Sequence, residues 1–215
     1  MSQAHTSFDV QKNGFNFDNY FIVPLPPKVI LPVLGEIHIN QFVYGLCGGM
    51  SFSSLDYFYA GKPTPDFPGV NSFPANYLTY LSDRQVDSMG ISVIPRMIEW
   101  MMLDDKTVAL NTVQIEIPKM KHQLDQGHPV VLGLVRGKGV SDPTTNHQVL
   151  AIGYDLDEST RELTISLCDP NFHRQDSTIS LNLANPGQGI QIEQSTGEPP
   201  RGFFVINYTR QQPPA

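Results

Sequence analysis

Cysteine, charge and long apolar segments are all scarce in this chain of 215 residues. Its two cysteines, Cys47 and Cys168, exclude the dense disulfide framework of small secreted domains. The longest apolar runs, such as residues 129–135, are far too short to cross a bilayer. The polar N-terminus lacks the apolar segment of a signal peptide. We therefore expect a cytoplasmic protein, with export by a route that uses no cleaved signal as the alternative.

Charged residues make up only 16% of the chain, and acidic residues outnumber basic ones by 21 to 14, which gives a formal net charge of −7. A surface of that sign argues against nucleic acid and anionic membranes as partners. Hydrophobic residues make up 40% of the chain, which excludes a disordered protein and suffices for one core. We expect a single domain over residues 1–215 and leave its oligomeric state open.

The pattern of apolar residues changes along the chain. An extended arm is expected over residues 1–40, since the prolines of the run 20–27 exclude a helix there. Spacings of three and four then predict helices over residues 47–60, 74–86, 93–103 and 119–126. Short β-branched runs bounded by turn signals predict strands over residues 129–135, 147–154, 163–167, 178–183 and 203–208. This order favours an α+β fold with a largely antiparallel sheet, made of a mainly helical lobe over residues 41–117 and a mainly β lobe over residues 118–215.

Cys47 is the candidate nucleophile. It lies in the first turn of the predicted helix 47–60, where the helix dipole and the free N–H groups favour a thiolate. Gly48 and Gly49 follow it, and two residues without side chains would let a substrate carbonyl approach the backbone closely. A buried structural cysteine is the alternative interpretation, because the sequence alone gives no thiol pKa.

Three further residues are candidates to act with Cys47. His147 opens a predicted strand, and the near-neutral pKa of histidine suits proton transfer to or from a thiol. If strand 163–167 pairs with it, Asp169 at the end of that strand can accept a hydrogen bond from the imidazole and fix its tautomer. Gln41, six residues before Cys47, could donate a hydrogen bond to a developing oxyanion. Taken singly, each has a structural alternative: a strand-edge histidine, an Asp-Pro turn and a surface-loop glutamine.

Several segments together resemble the papain-like cysteine peptidase superfamily. Residues 41–52, Gln-Phe-Val-Tyr-Gly-Leu-Cys-Gly-Gly-Met-Ser-Phe, are similar to its segment of a glutamine, five residues and a cysteine that opens a helix. Residues 146–154, Asn-His-Gln-Val-Leu-Ala-Ile-Gly-Tyr, are similar to its histidine at the head of an apolar strand. The strand end Asp169-Pro170 looks more like the bacterial bacteriocin-leader peptidases, which use aspartate, than like papain, which uses asparagine. Residues 121–134 resemble the helix-Gly-x-Pro-Val-strand unit that precedes the histidine strand in bacterial members.

The resemblance implies a papain-like α+β fold, in which a helical lobe with a cysteine at a helix N-terminus packs on a twisted antiparallel β-sheet. It also implies roles for the candidates. Cys47 would be the nucleophile, and His147 the base and then the acid. Asp169 would orient the imidazole, and Gln41 would supply an oxyanion donor. Asn171 is the alternative orienting residue, because a locally extended chain points residues two apart in the same direction.

The implied reaction is hydrolysis of a peptide or amide bond through a thioester acyl-enzyme, on a peptide or protein substrate that Gly48, Gly49 and Asn146 would contact. An amidase, deamidase, acyltransferase or toxin-type effector would use the same residues. A catalytically silent binding module is the alternative from another class. We expect no metal and no cofactor, because the histidines lack a ligand spacing and no phosphate-binding glycine loop is present in the sequence.

Overall fold

The computed structural model describes residues 1–21, 28–31, 35–38 and 45–214. The candidate Gln41 and most of the second half of the expected arm lie outside the described residues. None of the helices in this part of the chain is both long and apolar enough to cross a membrane.

The helices of the described residues are α1 (Val10–Asn13), α2 (Cys47–Tyr59), α3 (Ala75–Met89), α4 (Val93–Met102), α5 (Asp105–Asn111) and α6 (Ile117–Asp125). One π-helical turn, Thr112–Glu116, joins α5 to α6. The strands are β1 (Ser2–His5), β2 (Lys28–Leu31), β3 (Gly35–His38), β4 (Val130–Val135), β5 (His147–Leu156), β6 (Glu162–Cys168), β7 (Asp176–Asn182), β8 (Ile192–Gln194) and β9 (Gly202–Ile206).

One curled antiparallel sheet organises the molecule, and the helices pack on it. Its strands run in the order β8-β7-β6-β5-β4-β9, while β2 and β3 form a separate pair. The long strand β5 is shared by two partners on one side, because β4 pairs with its first half and β1 pairs with its second half. The α+β fold with a largely antiparallel sheet, expected from the order of helices and strands, is confirmed.

Both faces of the sheet are covered. Successive strand residues point to opposite sides, and the residues of each side pack into a core of their own. Val149 and Ala151 belong to a core that includes Ile117, Met120 and Leu124 of α6. The alternate residues of the same strands face a second core, which contains Phe52 and Leu55 of α2, Trp100 and Met101 of α4, and Leu150, Cys168 and Phe204 of the sheet. The sheet thus fixes where the first turn of α2 lies.

Local sequence signals predict the long elements well and the short ones poorly. The helix predicted over 47–60 runs from Cys47 to Tyr59, and the strands predicted from 129 to 208 appear within a few residues of their expected ends. The sequence missed α5, whose pattern is short, and β8, which has only three residues. Strand β1 was not predicted either, because Ser2–His5 has no apolar pattern and forms a strand by pairing with β5, some 150 residues away in the chain.

The outer edge of β9 is closed by side chains rather than by another strand. Glu116 is fully buried and accepts a hydrogen bond from the backbone N–H of Val205 at 2.9 Å. The hydroxyl of Thr112 accepts from Phe203 N–H at 3.4 Å. Arg96 donates to Glu116 at 2.6 Å and to the Val205 carbonyl at 3.4 Å. Thr112 and Glu116 of the π-helical turn therefore accept hydrogen bonds from backbone N–H groups of β9, which would otherwise be free to pair with a strand of another chain.

Replacing Glu116 by alanine leaves a buried backbone N–H of β9 without its acceptor and removes the carboxylate partner of the partly exposed Arg96. We expect Glu116→Ala to lower the free energy of unfolding by about 1–3 kcal/mol, because a buried donor is left unsatisfied. Glu99→Ala, at an exposed position of α4, is the matched control and should change it by less than about 0.5 kcal/mol. Denaturant unfolding measures both, and equal effects of the two substitutions would contradict this account.

Candidate active site

Helix α2 carries the candidate nucleophile at its first residue, Cys47. The next two positions are glycines because helix α3 lies very close to them. A Cβ on Gly48 would come within 2.0 Å of the Ser88 hydroxyl oxygen, and a Cβ on Gly49 would come within 2.4 Å of the Leu81 carbonyl oxygen. The side chain of Gln85 in α3 accepts a hydrogen bond from Gly49 N–H at 2.8 Å. The first turn of α2 is therefore held by direct backbone contact with α3.

A buried ion pair fixes the rest of α2. Asp56 in the last turn of α2 and Arg84 of α3 are both fully buried. A carboxylate oxygen of Asp56 lies 2.8 Å from Arg84 Nε. Hydroxyl groups of Tyr80 and Tyr208 donate to the same carboxylate at 2.7 and 2.5 Å. Because Tyr208 belongs to the C-terminal segment, this cluster joins α2, α3 and the end of the chain.

His147 and Asp169 meet where two neighbouring strands end. His147 is the first residue of β5, and the register pairs Leu150 with Cys168, the last residue of β6. This register places Asp169, the residue after β6, opposite Val149, so its side chain lies on the same face of the sheet as that of His147, two residues further along. The Nε2 atom of His147 lies 2.7 Å from Oδ1 of Asp169, and both side chains are almost completely buried.

The Cys47 thiol and the imidazole of His147 are close enough for each to shift the pKa of the other. Since Nε2 of His147 is engaged by Asp169, the contact with the thiol falls to Nδ1. Burial disfavours the thiolate, but the hydrogen bond and charge of His147, together with the N–H groups of Gln148 and Gly48, outweigh burial, so the pKa of Cys47 lies below its usual value.

The pKa of His147 shifts in the opposite direction to that of Cys47. Burial by itself would lower the pKa of His147, but its hydrogen bonds with Asp169 and Cys47 and the negative charges of both partners raise that pKa to about 9. A depressed thiol pKa beside a raised imidazole pKa favours a thiolate–imidazolium pair near neutral pH. Cys168 has no such partner: burial and the nearby charges of Asp169 and Asp176 raise its pKa to about 12.

Of the two candidates for orienting the imidazole, the structure brings Asp169 and not Asn171 into contact with His147. The backbone N–H of Asn171 donates to Asp169 Oδ1 at 3.0 Å. Its side-chain oxygen accepts a hydrogen bond from Asn19 at 2.9 Å. Asn171 thus supports the carboxylate through its backbone.

The three residues expected to contact substrate have packing or hydrogen-bonding roles within the protein. The positions that side chains of Gly48 and Gly49 would occupy are filled by α3 and, at Gly48, also by Gln148 of β5, so packing by itself requires glycine at both positions. The side-chain oxygen of Asn146 accepts hydrogen bonds from the N–H groups of Arg136 and Gly137 at 2.8 and 3.0 Å. Asn146 therefore shapes the loop that leads into His147. The assignment of Gly48, Gly49 and Asn146 as substrate-contacting residues stays a prediction.

Gln194 of β8 is a site residue that the sequence did not reveal. Its side-chain Nε2 donates to Asp169 Oδ2 at 3.1 Å in a buried contact. A glutamine in a three-residue strand gives no signal of its own, because the contact depends on strand pairing between β7 and β8. Among the described residues, no group of three histidine, cysteine or acidic side chains is arranged to hold a metal ion.

Comparisons with protein-family models, with curated proteins and with solved structures gave no match to this chain.

The lowered pKa of Cys47 predicts alkylation at a pH where ordinary thiols are inert. We expect iodoacetamide to modify Cys47 and not Cys168 at about pH 6, and we expect His147→Ala to slow that modification by about 10-fold or more, because the thiolate loses its positively charged partner and keeps only the backbone N–H groups of Gln148 and Gly48 against the effect of burial. His173→Ala, which removes a half-exposed imidazole, is the matched control. Mass spectrometry of the modified peptides gives both rates. A Cys47 that titrates like a free thiol in the unaltered protein would contradict the pKa assignment.

Proposed function

We propose that this protein is a cysteine-dependent hydrolase that cleaves a peptide or amide bond through a thioester acyl-enzyme. The observation that carries the proposal is the buried hydrogen bond between His147 and Asp169, with the Cys47 thiol near enough to the imidazole for each to shift the pKa of the other. A nucleophile in reach of a base, with the base oriented by a third group, is the arrangement that covalent catalysis requires.

The proposed reaction begins with the pair in its thiolate–imidazolium form. The Cys47 sulfur attacks the substrate carbonyl carbon, and the carbonyl π electrons move to oxygen. When the C–N bond breaks, the proton on His147 Nδ1 passes to the departing amine and a thioester remains. His147 then removes a proton from water, whose oxygen attacks the thioester. The acid is released and the thiolate and imidazolium are restored.

Charge that develops on the carbonyl oxygen needs hydrogen-bond donors. The first N–H groups of a helix have no acceptor within the helix, and Cys47 occupies that position in α2. We assign its backbone N–H as one oxyanion donor. Gln41 remains the predicted second donor, and it lies outside the described residues.

The resemblance to papain-like peptidases is part of this proposal. In its support, the cysteine opens a helix, the histidine opens a strand, and the carboxylate follows a neighbouring strand of one antiparallel sheet. The long apolar helix α2 packs across that sheet through Phe52 and Leu55. Transfer of the acyl group to an amine instead of water would use the same thioester and the same three residues.

Substitution of Cys47 or of Asp169 should remove most or all activity without unfolding the protein. In a screen of fluorogenic peptides and amides, we expect Cys47→Ala to abolish cleavage and Asp169→Asn to lower kcat by about 100-fold or more, since the imidazole loses its charged partner. Asp176→Asn, at the exposed start of β7, is the matched control and should retain full activity. Cleavage that survives Cys47→Ala would overturn the proposal.

Trapping distinguishes hydrolysis from transfer. We expect intact-mass measurement of the protein with an ester substrate to show one added acyl group, absent from Cys47→Ala, because the thioester forms on that sulfur. Addition of an amine nucleophile should raise the rate of acyl loss only if transfer competes with hydrolysis. An added acyl group that persists in Cys47→Ala would assign the nucleophile elsewhere.

A further inference from the structure

The carboxylate of Asp169 is held on both oxygens. Oδ1 accepts from His147 and from Asn171 N–H, whereas Oδ2 accepts from the side-chain amide of Gln194 at 3.1 Å. Gln194 is 6% exposed, so this amide is shielded from solvent. A buried hydrogen bond to a carboxylate is worth more than an exposed one, because no water replaces the donor when it is lost.

A cation fixes the direction of this amide. The side-chain oxygen of Gln194 accepts a hydrogen bond from Arg136 Nη2 at 3.2 Å. A guanidinium has donors only and a carboxylate has acceptors only. The amide between them can therefore satisfy both neighbours in just one orientation, with its oxygen toward Arg136 and its nitrogen toward Asp169.

Arg136 is itself held at several points. Its Nη1 lies 2.9 Å from a carboxylate oxygen of Glu198, and its Nε donates to the Glu198 carbonyl at 3.1 Å. Its backbone N–H donates to the side chain of Asn146, the residue before His147. The cation that aligns Gln194 is thus tied to the segment that delivers the imidazole.

We propose that Gln194 is a positioning residue of the site, which acts on the imidazole of His147 by holding the Asp169 carboxylate, with Arg136 setting the direction of the Gln194 amide. This role rests on the proposed function, because it concerns the same three reacting groups. Gln194 acts through Asp169, and we assign it no contact with Cys47 or with a substrate.

The role has a consequence for ionisation. The charged and titratable groups that meet here are Cys47 from α2, His147 from β5, Asp169 after β6, Arg136 after β4 and Glu198 before β9. A carboxylate that has lost its Oδ2 donor is free to turn away from His147, and the imidazolium is then less well stabilised. The thiolate of Cys47 loses part of its counter-charge as a result.

The test compares Gln194→Met, which keeps side-chain length and removes both hydrogen bonds, with Gln191→Met at an exposed position nearby. We expect Gln194→Met to raise the pH midpoint of Cys47 alkylation by about one unit and to slow alkylation at about pH 6 by about 10-fold. The pKa of His147, followed by imidazole chemical shifts, should move down from about 9. Gln191→Met should leave both unchanged.

A second variant keeps the test decisive if Gln194→Met folds poorly. Arg136→Met removes the group that aligns the amide and should shift both titrations in the same direction by a smaller amount. In a Gln194→Met background it should add no further shift. A purely structural role would lower the unfolding midpoint in denaturant while both titrations stayed in place, and that result would overturn the proposal.

Failure of this inference differs from failure of the proposed function. If Cys47 of the unaltered protein titrates as an ordinary thiol, the reactive pair is absent and the proposed function fails. If that thiol is reactive but the Gln194→Met and Arg136→Met proteins keep the titrations of the unaltered protein, only the role of Gln194 is refuted.

Discussion

The buried pair of Asp56 and Arg84 is the interaction on which the placement of helix α2 depends. Two charges removed from water carry a large desolvation cost, and that cost is offset only where further partners complete the hydrogen bonding. Here two tyrosine hydroxyls donate to the carboxylate, and the guanidinium donates to the carbonyl of Thr209 at 2.7 Å. The pair therefore specifies one register of α2 against α3 and the C-terminal segment. Because Cys47 is the first residue of α2, the position of its sulfur at the end of the sheet follows from that register.

The candidate site could be predicted from the sequence to the extent that its residues lie at the ends of regular elements. Cys47 precedes an apolar helical pattern, His147 opens an apolar strand, and Asp169 follows one. Each pattern is local, so its boundary marks the position at which the run of apolar side chains stops and a polar side chain begins. The meeting of His147 and Asp169 also follows, because two antiparallel strands joined by a short turn bring the start of the first strand close to the end of the second.

The remaining parts of the site depend on contacts between distant segments. Gln194 reaches Asp169 only because β8 pairs with β7, and Ile192–Gln194 is too short to be recognised as a strand. The glycines after Cys47 also depend on distant contacts: substrate access and close packing of α3 both require a residue without a side chain, and the sequence does not show that Ser88 and Leu81 lie next to them. Strand β1 has no apolar pattern because its pairing with β5 uses the backbone.

Two separate polar networks therefore hold the two halves of the site. One, centred on Asp56, locates the helix that carries the thiol; the other, running from Arg136 through Gln194 to Asp169, locates the imidazole. The two networks share no residue. Between them lie the apolar contacts of α2 with β5 and its neighbouring strands. A well-packed core transmits small displacements because it has little free volume to absorb them. The Asp56 cluster and the apolar core together therefore set the distance between the sulfur of Cys47 and the ring of His147, while the polar groups around Asp169 act on the ionisation of the pair through the imidazole.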